Sequence, residues 1–194
     1  MSDGKARAHP ALPAAAPGAS PPGRVPQPGL PLLPDESPAT DSTRFLVTAL
    51  AVGIAMGLFT YMQAQQFPER LLASDMYDVY FGGDLPRSFD QMVSRLPYHS
   101  RIIHPLHSVV LLPWTLPLHH VFGLSRVAAA QVVLGANACL WSILLLAICR
   151  HVTRRLGDSV LLVLLAGSSA SAVFWLPVPE TFAFGSTTVL LPVA

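Results

Sequence analysis

Charge is what this sequence has least of. Only 12% of its 194 residues are Asp, Glu, Lys or Arg, while 52% are hydrophobic. A water-soluble domain carries about 25% charged residues. A chain with half that charge cannot cover itself with polar side chains, so lipid is expected to be part of its solvent. Cysteine is nearly absent. Cys139 and Cys149 both fall in one apolar run and read as small buried hydrophobes, with no disulfide framework and no metal-ligand spacing. The formal net charge of +1 decides nothing, but a basic run is missing as well, which argues against a nucleic-acid partner of the usual electrostatic kind. No cleavable signal opens the chain, because the first long apolar run begins near Phe45. The membrane address is then the first spanning helix itself.

Proline is abundant, and it is unevenly spread. Ten of the nineteen prolines lie in residues 1–43, mixed with Ala, Gly and Ser. Proline fixes φ and removes a donor, and small residues bury little area, so ordering this stretch would not offset its entropy cost. Residues 1–43 are expected to be a disordered cytoplasmic leader, and residues 44–194 the N-terminal part of a multi-span membrane domain.

Three apolar runs are long enough to span. There are 24 uncharged residues between Arg44 and Glu69, 23 between Arg126 and Arg150, and 21 between Asp158 and Glu180. About 20 residues at a rise of 1.5 Å cross the hydrocarbon core. The spans are placed at about 45–66, 127–149 and 159–178. A fourth run starts at Thr181 and holds 14 uncharged residues up to Ala194, which is short of a span. The expectation is a polytopic chain that continues further. The fold class is all-α: a transmembrane helix bundle with amphipathic juxtamembrane helices in its first outer loop.

Two such helices are foreseen. Leu85, Phe89, Met92, Val93 and Leu96 share one helical face, with Arg87, Asp90, Gln91, Ser94 and Arg95 on the other. Pro86 and Pro97 bound the segment. The second is His104–Leu124, uncharged, with three prolines and four histidines. It is long enough to span, but His104, Ser108, Thr115 and His119 form a polar stripe opposite Val109, Val110, Leu112 and Trp114, which suits a helix lying in the interface. The loop holding Arg150, Arg154 and Arg155 decides between these. Arginines favour the cytoplasmic side. With the leader inside, that loop is inside only if 104–124 stays on the surface. The protein is thus expected to be an integral, multi-pass membrane protein with a cytoplasmic N-terminus and residues 67–125 outside.

Few residues carry chemistry. Asp84 stands just before the first amphipathic helix, where a helix N-cap is the simple alternative. Glu180 stands in Val-Pro-Glu-Thr at a membrane boundary, where an ionisable group faces either a cavity or the headgroup layer. Paired carboxylates allow one to act as base while the other positions a metal or substrate. Arg87, Arg95 and Arg101 suit phosphate, or otherwise a solvated face or anionic lipid. The histidines at 99, 104, 107, 119 and 120 match no standard metal site.

The order of these segments resembles the GT-C superfamily of polytopic glycosyltransferases, which take sugars from polyprenyl-phosphate donors at the outer membrane face. Asp84 with Arg87 in Asp-Leu-Pro-Arg matches the acidic motif of the first outer loop. His104, Pro105 and Leu106 match the His-Pro-Pro-Leu segment with one Pro missing. Phe122, Gly123, Leu124 and Ser125 match its end, and Glu180-Thr181-Phe182 matches the acid before an apolar-aromatic pair. Leu85 replaces the second of two adjacent acids that often stand in the first motif. The resemblance implies Asp84 as base or metal partner, Glu180 as the second acid, Arg87 and Arg101 on the donor phosphate, and His104 near the substrate. It further implies a lipid-linked sugar donor and leaves room for a divalent metal ion. A transporter or channel with Glu180 along the substrate path, or a membrane protein without catalysis, are the competing readings.

Overall fold

The computed structural model describes residues 38–67, 72, 85–94, 105–153 and 155–194. Residues 1–37 of the expected leader lie outside them, while residues 38–43, expected to be disordered, form the start of α1, where Asp41 and Thr43 favour a helix beginning over a continued proline-rich stretch. The described residues are helical and contain no strand. Among the described residues seven helices follow in order: α1 Pro38–Ala64, α2 Leu85–Val93, α3 Pro105–His120, α4 Arg126–Val152, α5 Leu156–Gly167, α6 Ala170–Trp175 and α7 Thr181–Leu190. Two of them are long and apolar enough to cross a membrane: Asp41–Ala64 of α1, and α4. At 1.5 Å per residue a 27-residue helix such as α4 runs about 40 Å, longer than the roughly 30 Å hydrocarbon core.

α1 and α4 pack antiparallel along their lengths and form the axis of the fold. Their polarity pattern is inverted relative to a water-soluble helix pair. Inward-facing positions of α1 carry Ala49, Gly53, Gly57, Thr60 and Ala64, all buried. The large side chains Leu46, Leu50, Ile54, Leu58 and Met62 point away, each between 46% and 64% exposed. Small residues inside let the backbones approach. A Cβ on Gly57 would stand 2.8 Å from the Gly135 carbonyl oxygen, and one on Gly135 would stand 2.9 Å from that of Gly57. Gly53 meets Ile143 and the Cys139 carbonyl in the same way. At such a small-residue seam close contact rather than apolar burial holds two helices together.

Polar pins close both ends of the pair. At one end Arg150 Nη2 lies 3.0 Å from Asp41 Oδ2. The aspartate is in the first turn of α1 and the arginine in the last turn of α4, so each also complements its helix dipole. At the other end Gln131 Nε2 donates to the Ala64 carbonyl at 3.1 Å.

The α3–α4 connection is a tight turn. Gly123 adopts φ 70°, a conformation that costs a residue with a side chain, and Leu124 N–H donates back to Leu118 at 3.2 Å. Ser125 then caps α4 by accepting from Ala128 N–H at 3.1 Å.

The run expected to be one span at 159–178 is two helices. α5 ends at Gly167 and α6 begins at Ala170. Ser169 caps the new start by accepting from Ala172 N–H at 3.2 Å. The Gly-Ser-Ser sequence supplies the reason, since hydroxyls offer the backbone partners that compete with a continuing helix. Gly167 also presses on Met56 of α1, whose Cε lies 2.5 Å from where a Cβ would be.

α3 is a continuous helix through Pro113 and Pro117. The expected polar stripe is in part turned inward, where a helix lying in the interface would leave it to water. Ser108, Thr115 and His107 are buried toward the bundle, while Val109, Val110 and Trp114 face out. α2 departs from expectation in one respect. Gln91 and Ser94, assigned to the solvent face, are 1% and 6% exposed. The buried face of α2 is wider than its apolar stripe because α3 offers polar partners to it.

Candidate functional site

Glu180 is the described residue that best marks a site. After α6 the chain runs through Leu176-Pro177-Val178-Pro179-Glu180, a non-helical stretch in which every residue is buried. The prolines prevent helix here and lack the N–H groups that burial would leave unsatisfied. Glu180 is 4% exposed. It caps α7, with Oε2 accepting from the Thr181 N–H at 3.0 Å, and its own N–H donates to the Val178 carbonyl at 2.7 Å. Among the described residues no Lys, Arg or His is paired with it. A buried carboxylate without a counter-cation is costly, and the positive end of α7 offsets part of that cost.

The first turn of α7 is fastened from two sides. Asn137 of α4, itself buried, donates from Nδ2 to the Ala183 carbonyl at 3.1 Å. Phe184, one turn beyond Glu180, meets the edge of the His107 ring with centroids 5.6 Å apart. His107 Nδ1 lies 3.2 Å from Gln91 Oε1, so Nδ1–H donates to α2. Thr115 of α3 donates to the Met92 carbonyl. The bonds of His107 to Gln91 and of Thr115 to Met92 therefore join α2 to α3 among the buried polar residues Ser88, Gln91, Ser94, His107, Ser108 and Thr115, of which Ser108 Oγ makes no hydrogen bond among the described residues, beside an apolar cluster of Met92, Val93, Leu111, Ala130, Val133, Leu134 and Phe184.

α2 and the Glu180 segment share one end of the fold. Phe89 of α2 and Pro179, next to Glu180, line one crevice together with Phe67, Val127 and Gln131. Arg87 is on this same α2, half-buried. Asp84, Arg101 and His104 lie outside the described residues, so the approach of Asp84 to Glu180 is not addressed by them. Among the described residues no group of three or more His, Cys, Asp or Glu comes together. A divalent ion at Glu180 would need its other ligands from beyond that set.

A second feature is a cavity of about 450 Å³ between α4, α6 and α7, walled by Trp141, Trp175 and Phe182 over Ala166, Ala172 and Ser186. No charged side chain lines it.

The sequence pointed to Glu180 and missed the layer that holds it. Gln91 and His107 are pairwise partners sixteen residues apart with no local pattern to join them. The glycine seam did leave a local trace, the Gly53-Ile54-Ala55-Met56-Gly57 spacing. No protein-family model matches this chain, and no curated protein or solved structure matches it either.

Proposed function

We propose that this chain is a multi-pass membrane protein, N-terminus cytoplasmic, and that it belongs to the lipid-phosphate-dependent sugar transferases it resembles. Glu180 is the carboxylate of its outer-face site. The observation that carries this reading is the burial of Glu180 with no counter-cation among the described residues, at the same end of the fold as α2 and its Arg87. A helix cap alone does not call for burial, and ionisable groups at membrane depth tend to face a cavity or a substrate.

In the proposed reaction a carboxylate takes the proton of an acceptor hydroxyl. The hydroxyl oxygen bonds to the anomeric carbon of the sugar, and the bond from that carbon to the donor phosphate breaks. The lipid phosphate leaves with the electron pair, its charge met by Arg87 and Arg101. Asp84 and Glu180 share the base and positioning roles, and His104 contacts the substrate. The polar layer around His107 and Gln91 sets the position of α2 against α7.

The test is Glu180→Gln with Asp84→Asn alongside, reading folded protein and transfer of radiolabelled sugar from a polyprenyl-phosphate donor in membranes. Gln keeps an oxygen to cap Thr181, so the expected outcome is normal folded protein with transfer lost. Normal transfer in both variants refutes the reading.

The break between α5 and α6 favours a second reading, a transporter, because discontinuous helices line substrate paths in that class. Glu180→Gln would then alter uptake into vesicles, with no sugar transfer to lose.

A further inference from the structure

Two polar side chains on α4 are buried, and they are used differently. Ser142 Oγ donates back within its own helix, to the Ala138 carbonyl at 2.8 Å. Asn137 Nδ2 leaves α4 and donates to the Ala183 carbonyl in the first turn of α7 at 3.1 Å. Asn137 is 9% exposed and lies within the uncharged run between Arg126 and Arg150. Gly135, two residues earlier, meets Gly57 of α1. Two residues make about 200° of helical turn, so α4 is held on opposite faces, to α1 by the glycine seam and to α7 by the amide.

The bond is not needed to satisfy its acceptor. The Ala183 carbonyl also accepts from Ser186 Oγ at 2.8 Å and from Thr187 Oγ1 at 3.3 Å. Removing the amide would orphan no carbonyl, so the usual penalty for a broken buried hydrogen bond does not arise on that side. An apolar side chain would suit the uncharged run better, because an amide loses its water there. What the amide supplies is a fixed alignment. A single buried Asn between packed helices selects one register at a cost in stability.

Glu180 is what that register places. It is the N-cap of α7, three residues before Ala183, and its Oε2 accepts from the Thr181 N–H at 3.0 Å. Residues 176–180 are not helical, so α6 does not set the rotation of α7. The edge contact of Phe184 with His107 guides the same turn from α3. A slip of α7 by one residue rotates its first turn by about 100° and carries the carboxylate with it.

We infer that Asn137 is a positioning residue for Glu180: its amide fixes the rotation of α7 on α4 and thereby the direction of the carboxylate. The inference rests on the reading of Glu180 as the carboxylate of the site.

The experiment compares the full chain in membranes with Asn137→Leu, which keeps a branched side chain and removes the donor, and with Asn137→Gln, which keeps an amide. Dicyclohexylcarbodiimide, an apolar reagent for carboxyl groups, is added, and modification of Glu180 is followed by peptide mass spectrometry. Glu180 should react several-fold faster in Asn137→Leu, because a carboxylate released from its register leaves its buried place. Helicity and melting temperature should stay close to those of the parent chain, and Asn137→Gln should restore the slow rate at least in part. In the transfer assay described above, Asn137→Leu should lower kcat by up to about a hundredfold, the effect of a misplacement of roughly 1 Å. The donor KM should stay within about twofold, since the phosphate contacts are not moved. An unchanged Glu180 rate in Asn137→Leu overturns the inference. So does a Gln variant that reacts as fast as the Leu variant. Asn137→Ala removes the donor without adding bulk, and loss of folded protein in both it and Asn137→Leu assigns the amide to the fold instead. Normal transfer in Glu180→Gln defeats the sugar-transfer reading, and the labelling comparison then still decides whether Asn137 sets the register.

Discussion

Gly57 and Gly135 face each other across the α1–α4 seam so closely that each carbonyl oxygen occupies the space of the other's missing side chain, at 2.8 and 2.9 Å. Backbone is on both sides of that contact, so neither partner can swing away. Gly57→Ala should therefore destabilise the helix pair by about 1–3 kcal/mol, the usual cost of overpacking. Gly185→Ala, with nothing within 4 Å of its Cβ, is the control and should be tolerated. Thermal unfolding in micelles measures both. Equal melting temperatures would mean that the seam is not a packed contact.

Gln91 and His107 form a buried pair between α2 and α3. Gln91→Ala leaves the imidazole without that acceptor, and the expected loss is about 1–3 kcal/mol. His107→Ala also removes the ring edge from Phe184. Because the two residues share one contact, the double variant should lose less than the sum of the single ones. Strict additivity in a double-mutant cycle would dissolve the pair.

Asp41 and Arg150 pin the opposite end, and here the expected effect is small. Their side chains are 51% and 27% exposed. Pairs of this kind contribute about 0–1 kcal/mol and are screened by salt. Asp41→Asn should lower the melting temperature slightly at low salt and not at all at high salt. A large, salt-independent loss would assign the aspartate a further role at the α1 start.

Glu180 serves as a helix cap as well as a proposed catalytic group, and two substitutions separate these. Glu180→Ala removes the acceptor for the Thr181 N–H and should cost about 0.5–2 kcal/mol. Glu180→Gln keeps an oxygen acceptor and should cost less. The comparison by unfolding in micelles isolates the capping part. Equal losses in Ala and Gln would mean that the negative charge, not the acceptor, stabilises α7.

Sidedness follows from the arginines. A cysteine at position 155, in a background with Cys139→Ala and Cys149→Ala, should resist an impermeant thiol reagent in intact cells and react after permeabilisation. Labelling from outside would reverse the proposed topology.

Composition and periodicity determined the helical class, the two long apolar helices and the presence of α2 and α3. These are properties of single segments: a charge-free run of spanning length, or apolar residues at three- and four-residue spacing, is written in the chain itself. Glu180 was legible for a similar reason, as a lone acid between apolar residues. Tertiary structure decided which way each face points. The polar stripe of α3 was visible, but only packing against α2, with the bond from Thr115 to the Met92 carbonyl, turns Thr115 inward and leaves Trp114 outside. Gln91 went inward for the same reason, against its local polarity. The division of the 159–178 run needed Met56 of α1 pressing on Gly167 and the local bonds of Ser168 and Ser169, because hydropathy averages over a break that hydroxyls can satisfy. The close backbone approach of Gly57 to Gly135 spans 78 positions of sequence, and a residue defined by having no side chain says nothing about its partner until the two backbones meet.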